Sequence, residues 1–432
     1  MTTLFPLPDN HPQRFKLHNE VHARSSVILD LPVSASHLTL MQSSDEKKQD
    51  RIHLIELCER FGVTPPKQDA NHFSARYDNF QLRWEQHGEF TTYTFYVHKQ
   101  QQSDPFKEPA LKSVPVDWMA QLVGKVIVAA HAAIIPASET TDDIEAMAHF
   151  FAGNALIGAK VSGGAAQAYT DFRIHIDGFS RFLIVDDHLK NAQAGRLLQR
   201  LFEIEVYRVM ALLAFPIARK LTPVLIKADH QLIAITAAMA EAGCDDGKLL
   251  DELTTLAAEV ENHISCNHYR FGAASAYYNL VNQRIEDLRE KRIQGLQTFS
   301  EFMGRRLEPA INTCQSTAKR FNLLSERISN AGELLRTRVD ISIERQNQDL
   351  LKSVSTHAKM QVRLQGTVEG VSIFAITSYA VSLIGSIAQA MKSADWDVNP
   401  PLVIGISIPF VLTVVAIGVR RIHKLIQKID ED

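Results

Sequence analysis

The chain has 432 residues, a formal net charge of −3 and 22% charged residues. A balance this close to neutral gives no basic surface of the kind that nucleic-acid binding needs, so no nucleic-acid partner is expected. The four cysteines lie far apart and form no CxxC pair, which argues against a zinc or disulfide framework. The first residues, "MTTLFPLPDNHPQRFKL", lack the apolar region of a secretory signal, and none is expected.

The first polar motif is "LHNEVHAR", which places His18 and His22 four residues apart. On a helix these histidines would share one face and could bind a metal ion. The metalloprotease spacing puts a glutamate directly after the first histidine, where this chain has Asn19. The two histidines are therefore weak metal candidates, and the alternative is a polar segment hydrogen-bonded onto the domain.

Residues 1–235 are predicted to form a mixed α/β domain in the cytosol. The segment 73–97, "FSARYDNFQLRWEQHGEFTTYTFYV", is rich in aromatic and β-branched residues and predicts strands with turns at 77–79 and near Gly88. The segment "QLVGKVIVAAHAAII" predicts a buried strand, and "AYTDFRIHIDGFSRFLIVDD" predicts a hairpin that turns at Asp177–Gly178.

Polar residues alternate with apolar ones in "TDFRIHID". Period two would place Asp171, Arg173, His175 and Asp177 on one strand face, which could bind a metal or an anion. The alternative is a solvated or salt-bridged sheet face, and the same holds for Glu85, His87 and Glu89. No Ser-His-Asp or Cys-His arrangement can be assembled, and "SGGAAQAYTD" lacks a nucleotide-binding pattern, so the sequence does not indicate an enzyme.

Helical periodicity dominates the rest of the chain. A helix with a broad apolar face is predicted over 193–219, and Pro216 is expected to kink or end it. From residue 246 to residue 369 the apolar residues follow three-four spacing, which predicts a long helical, coiled-coil-like stalk. A helix of that length cannot bury its apolar face alone, so it needs partners from this chain or from other subunits.

Two apolar segments follow the stalk. Residues 370–391 and 400–419 contain no charged residue. Each segment is long enough to cross a hydrocarbon core of about 30 Å. The loop 392–399 between them allows only a tight hairpin, and a basic tail occupies 420–432. The sequence therefore predicts an α+β cytosolic domain, a helical stalk and a C-terminal two-helix transmembrane hairpin in a lipid bilayer.

Basic residues predict the orientation of this hairpin. They are concentrated outside its two outer ends, at Lys352, Lys359, Arg363, Arg420, Arg421, Lys424 and Lys428. The connecting loop offers only Lys392. Because cytoplasmic flanks carry the excess of lysine and arginine, both termini are expected in the cytoplasm, with a bacterial inner membrane as the location.

The first apolar segment carries a polar stripe. Its members recur at helical spacing on one face: Ser372, Tyr379, Ser382, Ser386 and Gln389. Such a stripe either packs against another helix or lines an aqueous path between several copies. In the second case Glu369, Asp395 and Asp397, near the two ends of the segment, would form rings of carboxylates that concentrate cations.

Two resemblances follow from these segments. Long stretches including "HPQRFKLHNEVHAR", "TDFRIHIDGFSRFLIVD" and "RLQGTVEGVSIFAITSYA" make the chain resemble, nearly end to end, an uncharacterised family of bacterial predicted membrane-anchored proteins. That resemblance implies membrane anchoring and no particular activity.

The order of domain, long helix, span, short loop, span and basic tail resembles the CorA-type divalent-cation channels. That resemblance implies a homo-oligomer of five subunits whose first spans line a pore, with a divalent cation as the only implied ligand. The superfamily's Gly-Met-Asn triplet is absent, because the corresponding position here is "AQAMKSADWDVN". The leading expectation is thus a CorA-like homo-oligomer with a cation-conducting or cation-sensing role. The alternative is a non-conducting scaffold that acts through its stalk.

Overall fold

The computed structural model describes residues 9–15, 17–18, 27–68, 70–98, 104–140, 143–241, 243–394, 397 and 399–429, with side chains as far as Ile422. The chain forms two compact units. The first comprises Met1–Cys244 and Asp251–Gly332, and the second comprises Asp245–Leu250 and Glu333–Asp432. Residues 251–332, which the sequence assigns to the stalk, therefore belong to the same unit as the sheet.

The described part of the first unit contains a nine-stranded sheet, which confirms a mixed α+β fold. The strand order is β2-β3-β4-β1-β5-β8-β7-β6-β9, and β5 and β8 form its parallel pair. The strands are β1 (Val33–Met41), β2 (His72–Arg76), β3 (Gln81–Gln86), β4 (Phe90–His98), β5 (Lys125–Pro136), β6 (Ile157–Val161), β7 (Ala166–Thr170), β8 (Ser180–Asp186) and β9 (Lys291–Arg292).

The strand predictions for 73–97 and 121–135 are confirmed. The first gives β2, β3 and β4, joined by turns at the expected places, and the second gives β5. β1 lies between β4 and β5, and eight of its nine residues are buried. A strand with both faces covered needs apolar or hydrogen-bonded side chains on each side, which fits its sequence "VSASHLTLM".

The predicted hairpin at 168–187 forms between β7 and β8, but its first strand is shorter than expected. β7 ends at Thr170, and residues 171–179 form a loop, so the alternating residues Asp171 to Asp177 do not share a strand face. Side chains of the loop replace the ladder: the Thr170 hydroxyl accepts a hydrogen bond from the Phe172 amide at 3.2 Å. Phe172 itself adopts a left-handed conformation with φ of 51°, which ends the extended backbone.

From residue 44 onward, the described residues contain nine α-helices. They are α1 (Ser44–Arg60), α2 (Val116–Met119), α3 (Ile144–His149), α4 (Asn191–Leu212), α5 (Phe215–Ala240), α6 (Asp246–Leu288), α7 (Phe299–Arg306), α8 (Glu308–Ser393) and α9 (Pro400–Ile429). Two short 3-10 helices occupy Ala110–Ser113 and Ala137–Glu139.

Pro216 separates α4 from α5, as the sequence predicts. α4 ends at Leu212, and Pro216 lies in the first turn of α5. Proline has no N–H to donate to the carbonyl four residues earlier, which here belongs to Leu212, and its ring would clash with that carbonyl. The predicted end at residue 219 is therefore about two turns too late, because the break precedes the proline.

The main core of the first unit lies between the sheet and α4. Leu197, Leu198, Leu201 and Ile204 of α4 are fully buried in it. Val281 and Leu288 of α6 and Ile311 of α8 belong to the same core, which explains why the beginning of the predicted stalk joins the first unit. In the second unit, α8 continues without a break to Ser393, and α9 follows.

Candidate functional site: the C-terminal helical hairpin

Three helical stretches of the described residues have the length and apolar composition to cross a membrane. They are Asn191–Ala240, Phe299–Ser393 and Pro400–Ile422. In the first stretch, 33% of the most apolar window is buried within the protein, whereas none of the corresponding window of Pro400–Ile422 is buried.

The first of these stretches was not predicted as a span, and its α4 part packs into the core. α4 directs its large aliphatic residues onto the sheet, where Leu197, Leu201 and Ile204 have no exposed surface. An apolar helix face that packs on a sheet needs no lipid to cover it. The ends of α8 and α9 have no such cover, since Phe374 and Phe410 are each more than 70% exposed.

α8 and α9 approach each other closely at Gly385. A Cβ atom on Gly385 would lie 3.1 Å from the Cδ1 atom of Ile404. On the same side of α8, Thr377 and Ala388 are buried, with 7% and 3% of their surface exposed. Small side chains allow helix backbones to approach closely, which is the usual packing of helices in membranes. The contact between the two helices is therefore made by a face that the sequence did not single out.

The predicted polar stripe lies on the opposite face of α8. Ser372, Tyr379, Ser382, Ser386 and Gln389 are all exposed, and Tyr379 is 81% exposed. At 100° per residue the centre of the stripe is about half a turn from Thr377 and Ala388. The stripe consequently takes no part in packing against α9.

Two serines of this stripe also bond within the helix. The Ser372 hydroxyl donates to the Val368 carbonyl at 2.8 Å, and the Ser386 hydroxyl donates to the Ser382 carbonyl at 3.0 Å. These bonds satisfy the hydroxyl protons and leave the oxygen lone pairs on the exposed face. The two serine oxygens on the exposed face can therefore still accept hydrogen bonds, while their own O–H groups need no partner outside the helix.

Two of the three predicted carboxylates are described, and they lie near the two ends of the first apolar segment. Glu369 is partly buried directly before the span, and Asp397 is exposed in the connection to α9. Asp395 lies outside the described residues. Within one chain the described carboxylates flank the polar stripe at both ends, which is the order that the sequence predicts.

The histidine motif near the start is described only in part. His18 is exposed, and His22 lies outside the described residues. The described residues contain no group of three or more histidine, cysteine, aspartate or glutamate side chains placed to hold a metal ion.

Asp171 and His175 are brought together, whereas Asp177 is directed elsewhere. The His175 Nε2 atom lies 3.1 Å from the Asp171 Oδ2 atom, and both side chains are buried. Asp171 also accepts from the Asn154 amide at 2.8 Å and from the Arg173 backbone N–H at 3.1 Å. Because the Asp171 carboxylate bonds to several groups around it, it holds the β7–β8 loop in place. The Asp171–His175 pair therefore has a structural role.

Asp177 pairs with Arg181 at 3.0 Å in the same loop region. Burial acts to raise the pKa of Asp177, but hydrogen bonds from Arg181 and from the Phe179 amide lower it below its usual value. Phe179 stacks on His131 with 3.9 Å between ring centroids. The predicted polar face is therefore two separate pairs in a loop.

Glu85 belongs to a buried, salt-bridged charge cluster under α4, which is one of the alternatives that the sequence left open for it. Arg83 pairs with Glu85 at 3.0 Å, and both side chains are buried or nearly so. Arg83 also donates to Gln199 of α4 at 2.9 Å, and Gln199 donates to Glu203 at 2.7 Å. Alternation alone cannot show that a second layer covers a strand face, so the signal was ambiguous.

His37 adjoins this cluster and borders a cavity of about 30 Å³. Its ring stacks on Phe202, and its two nitrogens lie 2.8 Å from the Thr94 hydroxyl and 3.0 Å from the Thr39 hydroxyl. Burial, with smaller effects from His87 and Arg83, lowers the pKa of His37 to about 3. The cavity has room for a water molecule. The imidazole of His37 is neutral, and it and the charged cluster form a buried polar contact between the sheet and α4.

Comparisons with known proteins give one result. No curated protein and no solved structure matches the chain. A family model described as "Protein of unknown function (DUF3422)" matches residues 9–426. The match covers the sheet, the long helices and nearly all of the hairpin, and the chain therefore belongs to the DUF3422 family.

Proposed function

We propose that the protein is an integral protein of a bacterial inner membrane, anchored by the end of α8 and by α9 with both termini in the cytoplasm. Two findings support the anchor: large apolar side chains of both helices are exposed, and the two helices approach each other closely at Gly385. The excess of basic residues outside the two spans supports the orientation.

Within that membrane, the protein acts as a CorA-like homo-oligomer that conducts or senses cations. One observation carries this proposal: the polar stripe of α8 is exposed, and its centre lies about half a turn from the buried Thr377 and Ala388. Packing inside the hairpin therefore does not account for the stripe. If several copies surround an axis with α8 inside and α9 outside, Ser382, Ser386 and Gln389 face that axis.

The chemistry of the stripe suits a cation path. Hydroxyl and amide oxygens can replace part of the hydration shell of an ion, and carboxylates at the ends of a path raise the local cation concentration. Glu369 and Asp397 would supply such carboxylates, with Asp395 close to Asp397 in the sequence. The missing Gly-Met-Asn triplet means that magnesium selectivity is not part of the proposal.

A scaffold without conduction is the competing function. The stretch of α8 before the span is exposed over many turns and could hold other proteins at the membrane. The two functions differ in what the polar stripe does, because a scaffold needs only the anchor and the stalk.

Flux through liposomes that contain the purified full chain tests the proposal. Entry of Mg²⁺ or K⁺ is followed with trapped indicators, for the native protein and for Gln389→Leu. A matched control is Ile387→Leu, two residues away on an apolar part of the span. We expect flux from the native protein and from the control, and a loss of at least tenfold with Gln389→Leu. No flux from the native protein, or equal flux from all three, would overturn conduction and favour the scaffold.

A further inference from the structure

The segment of α8 before the first span has no covering helix among the described residues. Every residue from 340 to 368 is exposed. The exposed residues include large apolar side chains, and Leu350, Val354, Leu364 and Val368 are each more than 60% exposed. An isolated helix gains little stability in water, and exposed aliphatic residues at regular spacing indicate a missing neighbour.

These apolar residues follow a heptad repeat. Alternating steps of four and three residues place eight residues along one line of the helix, which we call the seam: Ile343, Asn347, Leu350, Val354, His357, Gln361, Leu364 and Val368. Three of the eight are polar, namely Asn347, His357 and Gln361. In heptad terms Asn347, Val354, Gln361 and Val368 occupy a positions, and the other four occupy d positions. A period of 3.5 residues is the requirement of a helix that packs along another helix, which a flat lipid surface or a globular pocket does not impose.

The face opposite the seam carries a basic residue in four successive heptads. Arg338, Arg345, Lys352 and Lys359 are spaced seven residues apart and occupy the f position, the one farthest from a coiled-coil axis. Basic residues that repeat at the f position favour solvation of that side of the helix. The seam is therefore the side that meets a partner helix.

The seam is continuous with the polar stripe in the span. Continuing the a positions from Val368 by sevens gives Ala375, Ser382 and Gln389, and the last two belong to the stripe. Thr377 and Ala388, which lie on the side of α8 that faces α9, are on the other side of the helix. Among the described residues, no helix therefore covers this face of α8 along the seam or along the stripe.

We infer that a second copy of this chain covers the seam, in a parallel coiled coil with the copies in register. The parallel direction rests on the proposed function, because copies anchored by the same hairpin in one membrane run the same way. Register follows from the polar a positions, since Asn347 and Gln361 meet their own equivalents only when the copies are not shifted.

Cysteine cross-linking of the full chain in detergent tests this arrangement. The exposed Cys266 and the partly buried Cys244 are first replaced by serine, and the buried Cys58 and Cys314 are kept. Leu350→Cys places a thiol in the seam, and Lys352→Cys places one on the basic face as a matched control. A disulfide requires Cα atoms within about 7 Å, so the thiol introduced by Leu350→Cys can bridge to its equivalent only in a parallel, in-register pair.

We expect covalent dimers from Leu350→Cys and at least tenfold less from Lys352→Cys. Equal yields, or no dimer from Leu350→Cys in a protein that light scattering shows to be oligomeric, would overturn the inference. Disulfide formation is measured independently of ion flux, so the two proposals can fail separately. Cross-linking without conduction would refute the cation path alone. Conduction without cross-linking would refute the coiled coil alone.

A second pair of variants separates seam disruption from misfolding. Leu350→Asp places a charge in the seam, and Ile341→Asp places one at an exposed apolar b position of the same helix. Association is measured as the average molecular mass of the particles at a series of protein concentrations. We expect Leu350→Asp to weaken association at least tenfold and Ile341→Asp to change it little. In contrast His357→Leu, which removes a polar group from a d position, should strengthen association. A reversed order among these variants would contradict the seam.

Discussion

Gly385 of α8 and Ile404 of α9 form a close contact between the two hairpin helices. A Cβ atom at residue 385 would lie 3.1 Å from the Ile404 Cδ1 atom and 3.3 Å from its Cγ1 atom. The absence of a side chain at Gly385 therefore sets how closely the helices pack. Their contact leaves the polar stripe of α8 on the far side of the hairpin.

We expect Gly385→Leu to separate the two helices, because four side-chain carbons have no room against Ile404. Overpacking of this kind costs about 1–3 kcal/mol. Thermal unfolding of the full chain in detergent measures the loss. Gly405→Leu on α9 is the control, because a Cβ atom there meets nothing within 4 Å. Equal melting temperatures for the two variants would show that the contact at residue 385 is not important.

Gly195 is a position where an added Cβ atom has no room. It lies in α4, where a Cβ atom would overlap the backbone carbonyl of Val27. The next residues of that segment are held to the same helix, since the Leu29 amide donates to the Asn191 carbonyl at 3.3 Å. We expect Gly195→Ala to displace residues 27–29 and to cost about 3 kcal/mol or more in unfolding free energy.

A matched alanine substitution has the opposite expectation. A Cβ atom on Gly272 of α6 meets nothing within 4 Å, so Gly272→Ala should gain about 0.5–1 kcal/mol from helix propensity. Denaturant unfolding of both variants gives the comparison. Destabilisation by Gly272→Ala, or tolerance of Gly195→Ala, would contradict the packing described here.

Asp50 is a buried carboxylate that holds three donors. It accepts from the Gln42 amide at 2.9 Å, the Trp84 indole at 3.0 Å and the Tyr93 hydroxyl at 2.8 Å. Asp50→Ala would leave these groups without their acceptor, and each unsatisfied buried donor costs about 1–3 kcal/mol. We expect a loss of about 3 kcal/mol or more, read from the unfolding curve by tryptophan fluorescence.

Asp45 on the same helix provides the comparison for Asp50. Its pair with Lys48 is exposed and screened by solvent, so Asp45→Ala should lower the unfolding free energy far less than Asp50→Ala does. If both variants lost the same amount, the hydrogen bonds to Asp50 would not be the reason for its effect.

His37 and His131 should make the first unit sensitive to acid. Burial lowers the pKa of His37 to about 3 and, with Asp177 opposing and Arg181 adding to the effect, lowers that of His131 to about 4. Both values lie below the unfolded value of about 6.5, so the unfolded state binds protons first as the pH falls. Stability is therefore lost below about pH 6.5, by about 2 kcal/mol per histidine between pH 7 and pH 5.

Denaturant unfolding at several pH values checks this expectation. The variant His37→Gln keeps groups that can bond to Thr94 and Thr39 but does not titrate in this range. We expect it to be less stable than the native protein at pH 7 and to lose less stability between pH 7 and pH 5. The same slope in both proteins would show that His37 does not contribute to acid sensitivity.

Sequence patterns predicted the elements that depend on local spacing. Alternation and turn residues gave β2 to β4, proline chemistry gave the break between α4 and α5, and three-four spacing gave α6 and α8. They failed where a local alternative competed with the expected element. The loop after β7 is an example, because side chains of Thr170 and Asp171 bond to the backbone in place of a neighbouring strand.

The charged residues of β3 show what a local pattern leaves open. Arg83 and Glu85 alternate with apolar residues as they would on a solvated strand, yet α4 covers them and Gln199 completes their hydrogen bonds. Which layer covers a strand depends on residues more than a hundred positions away. No local pattern contains that information.

For the hairpin the two sources of information are complementary. The sequence by itself determined that α8 carries a polar stripe and a heptad seam, because both are repeats along one helix. Only the tertiary structure decided which face of α8 meets α9, because that choice depends on the close approach that Gly385 allows to Ile404. The physical reason is that periodicity defines the faces of a helix, whereas the fit between side chains on two helices selects the face that is buried.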